Sequence, residues 1–477
     1  MKKSIAQSMA VTAVLAVTAC ATNPVTGQRQ LALVSEGQEL AMGRSAAAEV
    51  RQTIGLVDDR ALQNYVAATG LPLAKASERP QLPWSFEVVD DPTPNAFALP
   101  GGFIFVTRGL LNLMDSQAEL AVVLGHEIGH VTARHSVTAI SRQQLAQLGL
   151  GLGTIFFPEV RPFGDALGAG LGLLFLKHGR DAERQADELG VRYASGQRFD
   201  VREGIDVFEA LRRAGDEQRS ALPSWLSTHP GPDERAAALQ QQLKLVGALT
   251  GTIVDRAEYL NQIDGLVYGA NPRQGFFREQ TFYHPDLRFQ VTLPRGWQGQ
   301  NLTHAVQAIS PRRDAMLVLT LSPAASADAA ARQLSAQPGI RVLQRSAERI
   351  GGQPAVVSAF DAATEGGVVR GMAAHIAYRG RVYELLGYGP IDRFGANTRE
   401  IEGALASFAP VTDRAILSVQ PRRVDVVRLP RTMSLAQFAE AYPSSIPIEE
   451  LAVINQVQGP GSRIDAGTLV KRITGGT

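Results

Sequence analysis

Between Ser116 and Ser136 the chain reads SQAELAVVLGHEIGHVTARHS. Its apolar positions Leu120, Val123, Leu124, Ile128 and Val131 recur at the three-and-four spacing of a buried helix. Ser116, with Glu119 three residues on, predicts a capping box at its start. Gly125 and Gly129 lie inside this helix, where each costs up to about 1 kcal/mol against Ala. Their missing side chains predict that another element packs close to the backbone there. Amphipathic helices are predicted over 36–50 and 58–70, and strands over 86–89 and 103–107, with a turn-rich loop over 91–95. The strand at 103–107 is either a plain structural strand or one that takes an extended peptide by strand addition. Residues 145–176 are apolar and glycine-rich, but Pro158, Arg161, Pro162 and Asp165 interrupt them. A core helix with a loop around 153–166 fits better than an unbroken spanning helix.

Residues 257–279 contain Gly265, Gly269, Pro272 and Gly275 and read as a linker. Beyond them the pattern turns to alternation. Strands are predicted over 288–293, 315–321, 355–360, 368–378 and 381–387, with Arg379-Gly380 as a hairpin turn between the last two. Helices are predicted over 327–336 and 397–408. With Thr432, Ser434, Ile454-Asn455 and Ala466-Gly467, residues 423–473 resemble a LysM module, which implies strands over 424–429 and 469–473 and helices over 434–441 and 448–455, a βααβ pattern. The expected fold class is therefore α+β and multidomain: a mainly helical domain with a small sheet over 25–260, an α+β domain over 280–412, and a βααβ module over 420–475.

Composition narrows the setting. Forty-seven basic against 46 acidic side chains give a net charge of +1, and no basic stripe stands out, so nucleic acid is not an expected partner. Lys2 and Lys3 precede a short apolar run at 9–19, too short to span a bilayer, as in a secretory signal. The run ends at Cys20, the only cysteine of the chain. Residues 17–20, VTAC, resemble a lipobox, which implies lipidation of Cys20 and removal of 1–19. Ala21 after the cysteine resembles lipoproteins sorted to the outer membrane. With one cysteine there is no internal disulfide, so apolar cores must hold the fold.

The helix at 116–136 carries His126, Glu127 and His130 as H-E-x-x-H. One turn apart, the two imidazoles share a face and can bind one Zn²⁺, with Glu127 in reach of the water such an ion activates. A catalytic zinc needs a third protein ligand. Residues 181–193, DAERQADELGVRY, place Glu183 and Asp187 one turn apart on another helical stretch. Glu183 is a candidate third ligand, and Asp187 a candidate hydrogen-bond partner of a ligand imidazole. Both can equally belong to a solvated charged face. His135, five residues past His130, is expected off the ligand face as a structural residue, and His178 at the surface.

HEIGHVTARHS followed by ERQADELG resembles the HtpX and CAAX-prenyl-protease type of zinc metallopeptidase, which pairs H-E-x-x-H with E-x-x-A-D. The match to its periplasmic lipoprotein branch, which resembles BepA and LoiP, is close. The segments NAFALPGG at 95–102 and THPGPDER at 228–235 strengthen the resemblance, which covers about 25–245. It implies a zincin-type fold and one Zn²⁺ on His126, His130 and Glu183, with Glu127 as catalytic base. For His229 it implies either stabilisation of the tetrahedral intermediate or a fourth metal bond in a resting state, and for Arg235 oxyanion stabilisation or loop anchoring. The expected reaction is hydrolysis of internal peptide bonds of unfolded or misassembled envelope proteins, in protein quality control at the periplasmic face of the outer membrane. Residues 280–412 weakly resemble a PsbP-like fold, and 423–473 a LysM module, which would add peptidoglycan as a partner. Two alternatives are a hydrolase of cell-wall peptides and a chaperone or scaffold whose metal site is occluded.

Overall fold

A computed structural model describes residues 20–150, 173, 178–214, 225–229, 235, 237–241, 252–302, 305–364 and 367–476. The signal segment before Cys20 and most of the glycine-rich stretch at 145–176 lie outside the described residues. The chain forms two units, one built from residues up to Ala270 together with Arg422–Gly475, the other from Asn271–Pro421.

In the first unit the H-E-x-x-H helix spans Gln117–Thr132, and every residue from Ala118 to Thr132 is buried. This is the buried helix that the apolar spacing predicts. The wrapping is complete because helices Arg60–Lys75, Arg180–Gly196 and Glu203–Ala214 and strand Ala96–Leu99 all pack on it. Ser116 caps the helix by accepting from the Glu119 N–H at 3.2 Å. The Glu119 carboxylate accepts from the Asp115 N–H instead of that of Ser116, so the reciprocal bond reaches one residue further back. Gly125 faces Gly190 so closely that a Cβ there would lie 2.9 Å from the Gly190 carbonyl oxygen. Glycine on both helices permits an approach that a methyl group would block.

Beside this helix is a three-stranded sheet, Ser85–Val89, Phe103–Thr107 and Ala96–Leu99 in that order. Phe103–Thr107 pairs on both sides, parallel to Ser85–Val89 and antiparallel to Ala96–Leu99. Its backbone groups are used, so it is not the strand that receives a peptide. Ala96–Leu99 is the edge next to the metal helix.

The C-terminal βααβ segment belongs to this unit. Its strands Arg422–Arg428 and Leu469–Thr474 pair antiparallel, and Leu435, Phe438, Leu451, Ile454 and Val470 share one core with Leu120 and Leu124. Asn455 is spent internally, donating to the Leu451 and Lys471 carbonyls. The stretch read as a linker contributes too. Residues Arg256–Ile263 form a helix that buries Tyr259, Leu260 and Ile263, and Gly265 and Gly269 take positive φ in the turns after it. No helix among the described residues is long and apolar enough to cross a membrane.

The second unit is a seven-stranded antiparallel sheet and a four-stranded one around a core that includes Phe289, Tyr383 and Phe408. The predicted strands recur as Phe289–Thr292, Met316–Ser322, Gln353–Thr364, Gly367–Tyr378 and Arg381–Pro390. Arg379 and Gly380 both have positive φ, as a two-residue hairpin turn matched to strand twist requires. Helices Ala327–Ser335 and Thr398–Ala406 complete the unit.

Candidate metal centre

One helical turn separates His126 from His130, and both rings point to the same side, with their Nε2 atoms 3.0 Å apart. The helix Arg180–Gly196 lies across them and brings the Glu183 carboxylate to 3.5 Å from each Nε2. His229, just past the short helix Trp225–Thr228, adds Nδ1 at 3.3 Å from His126 Nε2 and 3.0 Å from Glu183 Oε2. One ligand atom from each of these four buried residues lies within 4.8 Å of all the others.

The donor set fits a divalent cation. His126 turns its Nδ1 to Asp187 Oδ1 at 2.9 Å and so donates its proton there. That leaves Nε2 as a bare acceptor facing another imidazole nitrogen and a carboxylate. Such a convergence of lone pairs in a dry site is unfavourable by itself and favourable around a cation. Asp187 in turn accepts two bonds from Arg235, at 2.6 and 2.9 Å, and the guanidinium lies over the Phe208 ring. Arg235 therefore holds the carboxylate that orients His126. Trp225 stacks on His229 with ring centroids 4.2 Å apart.

Charge states follow from the packing. Burial and then Arg235 lower His126 to about 4, and burial with the neighbouring imidazoles lowers His130 well below the usual range. Both are thus neutral, as metal ligands must be. Burial pushes Glu183 up, but the His229 charge and hydrogen bond, with His126 and Arg235, pull it well below the ordinary carboxylate range. Burial raises Glu127 to about 7, against the pull of His229. Its Oε1 is buried with no hydrogen-bond partner among the described residues, while the backbone N–H of Ala98 serves the carboxylate.

Sequence reasoning singled out His126, Glu127, His130, Glu183, Asp187, His229 and Arg235, and the structure brings all seven together. Cys20 is not among them; its backbone pairs with Leu31 in a short ladder. Two placements were missed. His135 is buried against His130, with the two Nδ1 atoms 3.0 Å apart, because the metal helix ends at Thr132 and helical phase no longer applies. His178 stacks on His130 at 4.1 Å between ring centroids instead of standing in solvent. Gln185, between Glu183 and Asp187, also reaches the site through His135.

Residues 60–243 match the family model of Peptidase family M48. The beta-barrel assembly-enhancing protease of Yersinia pestis is 32% identical over 225 residues, covering 44% of this chain and 45% of that protein. The mitochondrial metalloendopeptidase OMA1 of Arabidopsis thaliana is 35% identical over 187 residues, covering 39% of this chain and 37% of that protein. The chain thus spans less than half the length of either relative. Cyanobacterial PsbP from Synechocystis overlaps 28% of this chain and 91% of its own at 15% identity, with a TM-score of 0.24 that carries no argument for fold. With its clustered His126, His130 and Glu183, the segment 60–243 belongs to Peptidase family M48 and is a metalloprotease domain with a metal site typical of the family's zinc peptidases.

Proposed function

We propose that this chain is a zinc-dependent endopeptidase that cuts internal peptide bonds of unfolded or misassembled envelope proteins. The observation that carries the reading is the convergence of His126 Nε2, His130 Nε2 and the Glu183 carboxylate beside the buried Oε1 of Glu127, which accepts no hydrogen bond among the described residues and has His229 Nε2 3.7 Å away. His126, His130 and Glu183 would hold a zinc ion, which would supply Lewis acidity for a scissile carbonyl and for the attacking water. Glu127 takes the proton of that water on Oε1 and returns it to the leaving amine. Its burial keeps its proton affinity near neutral, where both transfers are easy. The strand Ala96–Leu99 has no further strand partner among the described residues, and although its Ala98 N–H serves Glu127, this edge supports addition of an extended substrate, which favours internal sites in unfolded chains over folded ones.

His229 supports a second, regulatory reading. Its Nδ1 is already among the ligand atoms, so it can complete the ligand set in a resting state and withdraw when substrate enters. Arg235 acts through Asp187 as an anchor rather than on substrate.

The envelope setting rests on the signal-like start, on Cys20 as a lipidation site, and on the similarity to a relative named for β-barrel assembly. These support a periplasmic protein held by lipid at the inner leaflet of the outer membrane. The test is Glu127→Gln: a folded protein that keeps zinc and no longer cleaves a denatured protein substrate is expected. Zinc-dependent cleavage retained by that variant rejects Glu127 as the base, and cleavage insensitive to chelation rejects the metalloenzyme.

A further inference from the structure

We infer that His135, backed by Gln185, is the positioning residue that fixes the tautomer and ring angle of His130 for metal binding. The inference rests on the zinc reading above and concerns residues to which it gives no role.

The local backbone explains how His135 gets there. After Thr132 the helix closes with Ala133, and Arg134 takes a left-handed conformation at φ 57°. A new helix then starts at His135 and turns that side chain back onto His130. A left-handed arginine is strained and persists only where its surroundings hold it. Here buried Glu39 accepts from Arg134 Nε at 2.9 Å and from Arg79 Nη1 at 2.7 Å, while Arg134 also donates to the Val34 carbonyl. Arg79 in turn donates to the Val131 carbonyl in the last turn of the metal helix. The reversal is therefore built in, and with it the contact between the two rings.

The hydrogen bonding then has one polarity compatible with a metal. His130 Nδ1 and His135 Nδ1 are 3.0 Å apart and share one proton. His135 Nε2 is 2.9 Å from Gln185 Oε1, an acceptor, so it carries a proton of its own. In a neutral His135 the Nδ1 is then the acceptor, and His130 Nδ1–H donates to it. That leaves His130 Nε2 bare, facing His126 Nε2 and Glu183. The reverse polarity would place a proton on His130 Nε2, among the ligand atoms. His126 has a matching chain through Asp187 to Arg235. One helix thus carries a ligand, Glu183, and an anchor for each histidine, Gln185 and Asp187.

The experiment measures zinc affinity by competition with a chromophoric chelator, on the full chain, for wild type, His135→Leu, Gln185→Leu and Gln185→Glu. Thermal melting of each metal-free protein runs in parallel. Partners of this kind change metal affinity by about 10–100-fold. His135→Leu and Gln185→Leu are expected to weaken zinc by that factor, with Gln185→Leu melting like wild type when metal-free. Gln185→Glu keeps the acceptor and stays within a few-fold of wild type. Should His135→Leu fail to fold, Gln185→Leu decides. Zinc binding by Gln185→Leu equal to wild type, or an equal loss in Gln185→Glu, overturns the inference and leaves the peptidase reading intact. A wild-type chain that holds no zinc overturns both.

Discussion

Lys471 Nζ and Asp115 Oδ1 pair at 2.7 Å with both side chains sealed from solvent. The lysine comes from the last strand and the aspartate from the residue before the cap of the metal helix. Lys471 also donates to the carbonyls of Asn112 and Met114, and Gln456 donates to Glu119 and to Leu113. The C-terminal segment therefore braces the loop from which the H-E-x-x-H helix starts. Removing one partner of a buried ion pair costs about 3–5 kcal/mol. Lys471→Met is expected to lose stability on that scale in urea unfolding. Deletion of 422–477 should leave the remaining chain unable to fold as a peptidase, because its core would lose Leu435, Phe438, Leu451 and Val470. A truncated chain that folds and cleaves would remove the bracing role.

The same cluster gives stability a pH dependence. Burial, with the Asp115 charge, raises the Glu119 carboxyl well above its ordinary 4.5, and Gln456 and Lys471 only partly offset this. The folded state therefore holds the Glu119 proton more tightly than the unfolded state. Its contribution is fully present below pH 4.5 and is lost as pH climbs from there through the raised folded value. Glu119→Gln lacks that loss. Its stability relative to wild type should rise with pH from about 4.5 upward and then level off, read from chemical denaturation at a series of pH values. A difference that is flat, or that shrinks with pH, contradicts the shift.

The close approach of two helices makes a second structural demand. A Cβ at Gly190 would lie 2.8 Å from the His126 backbone nitrogen, whereas one at Gly179 meets nothing within 4 Å among the described residues. Overpacking of this kind costs about 1–3 kcal/mol. Gly190→Ala should lower both stability and zinc affinity, since it drives Glu183 and Asp187 away from the histidines, while Gly179→Ala leaves zinc affinity unchanged. Equal zinc binding by the two variants would show that the helix spacing does not set the site.

If His229 closes the site at rest, His229→Ala should raise the basal rate on a short peptide severalfold while zinc stays bound through the other three ligands. A rate that falls instead assigns His229 to the reaction itself.

The metal pair was legible because one turn of helix fixes where residues four apart point, and His126 and His130 need nothing more. Glu183 and Asp187 read as a shared face for the same reason, and the family resemblance gave that face its purpose. His135 was misread because helical phase was carried past Thr132, while a left-handed Arg134, held by the distant Glu39, reverses the chain. Residues 257–279 looked like a linker from their glycines, yet Tyr259, Leu260 and Ile263 already carried a helical pattern. The fusion of the last strand with the metal domain had no local signal, since it depends on Lys471 meeting Asp115 across the fold.

Anomalous diffraction at the zinc edge from crystals of the zinc-loaded full chain is the most direct measurement. One peak is expected, about 2.0–2.2 Å from His126 Nε2, His130 Nε2 and a Glu183 carboxylate oxygen. A peak that omits Glu183, or no peak between the two helices, would contradict the metal centre on which the peptidase reading stands.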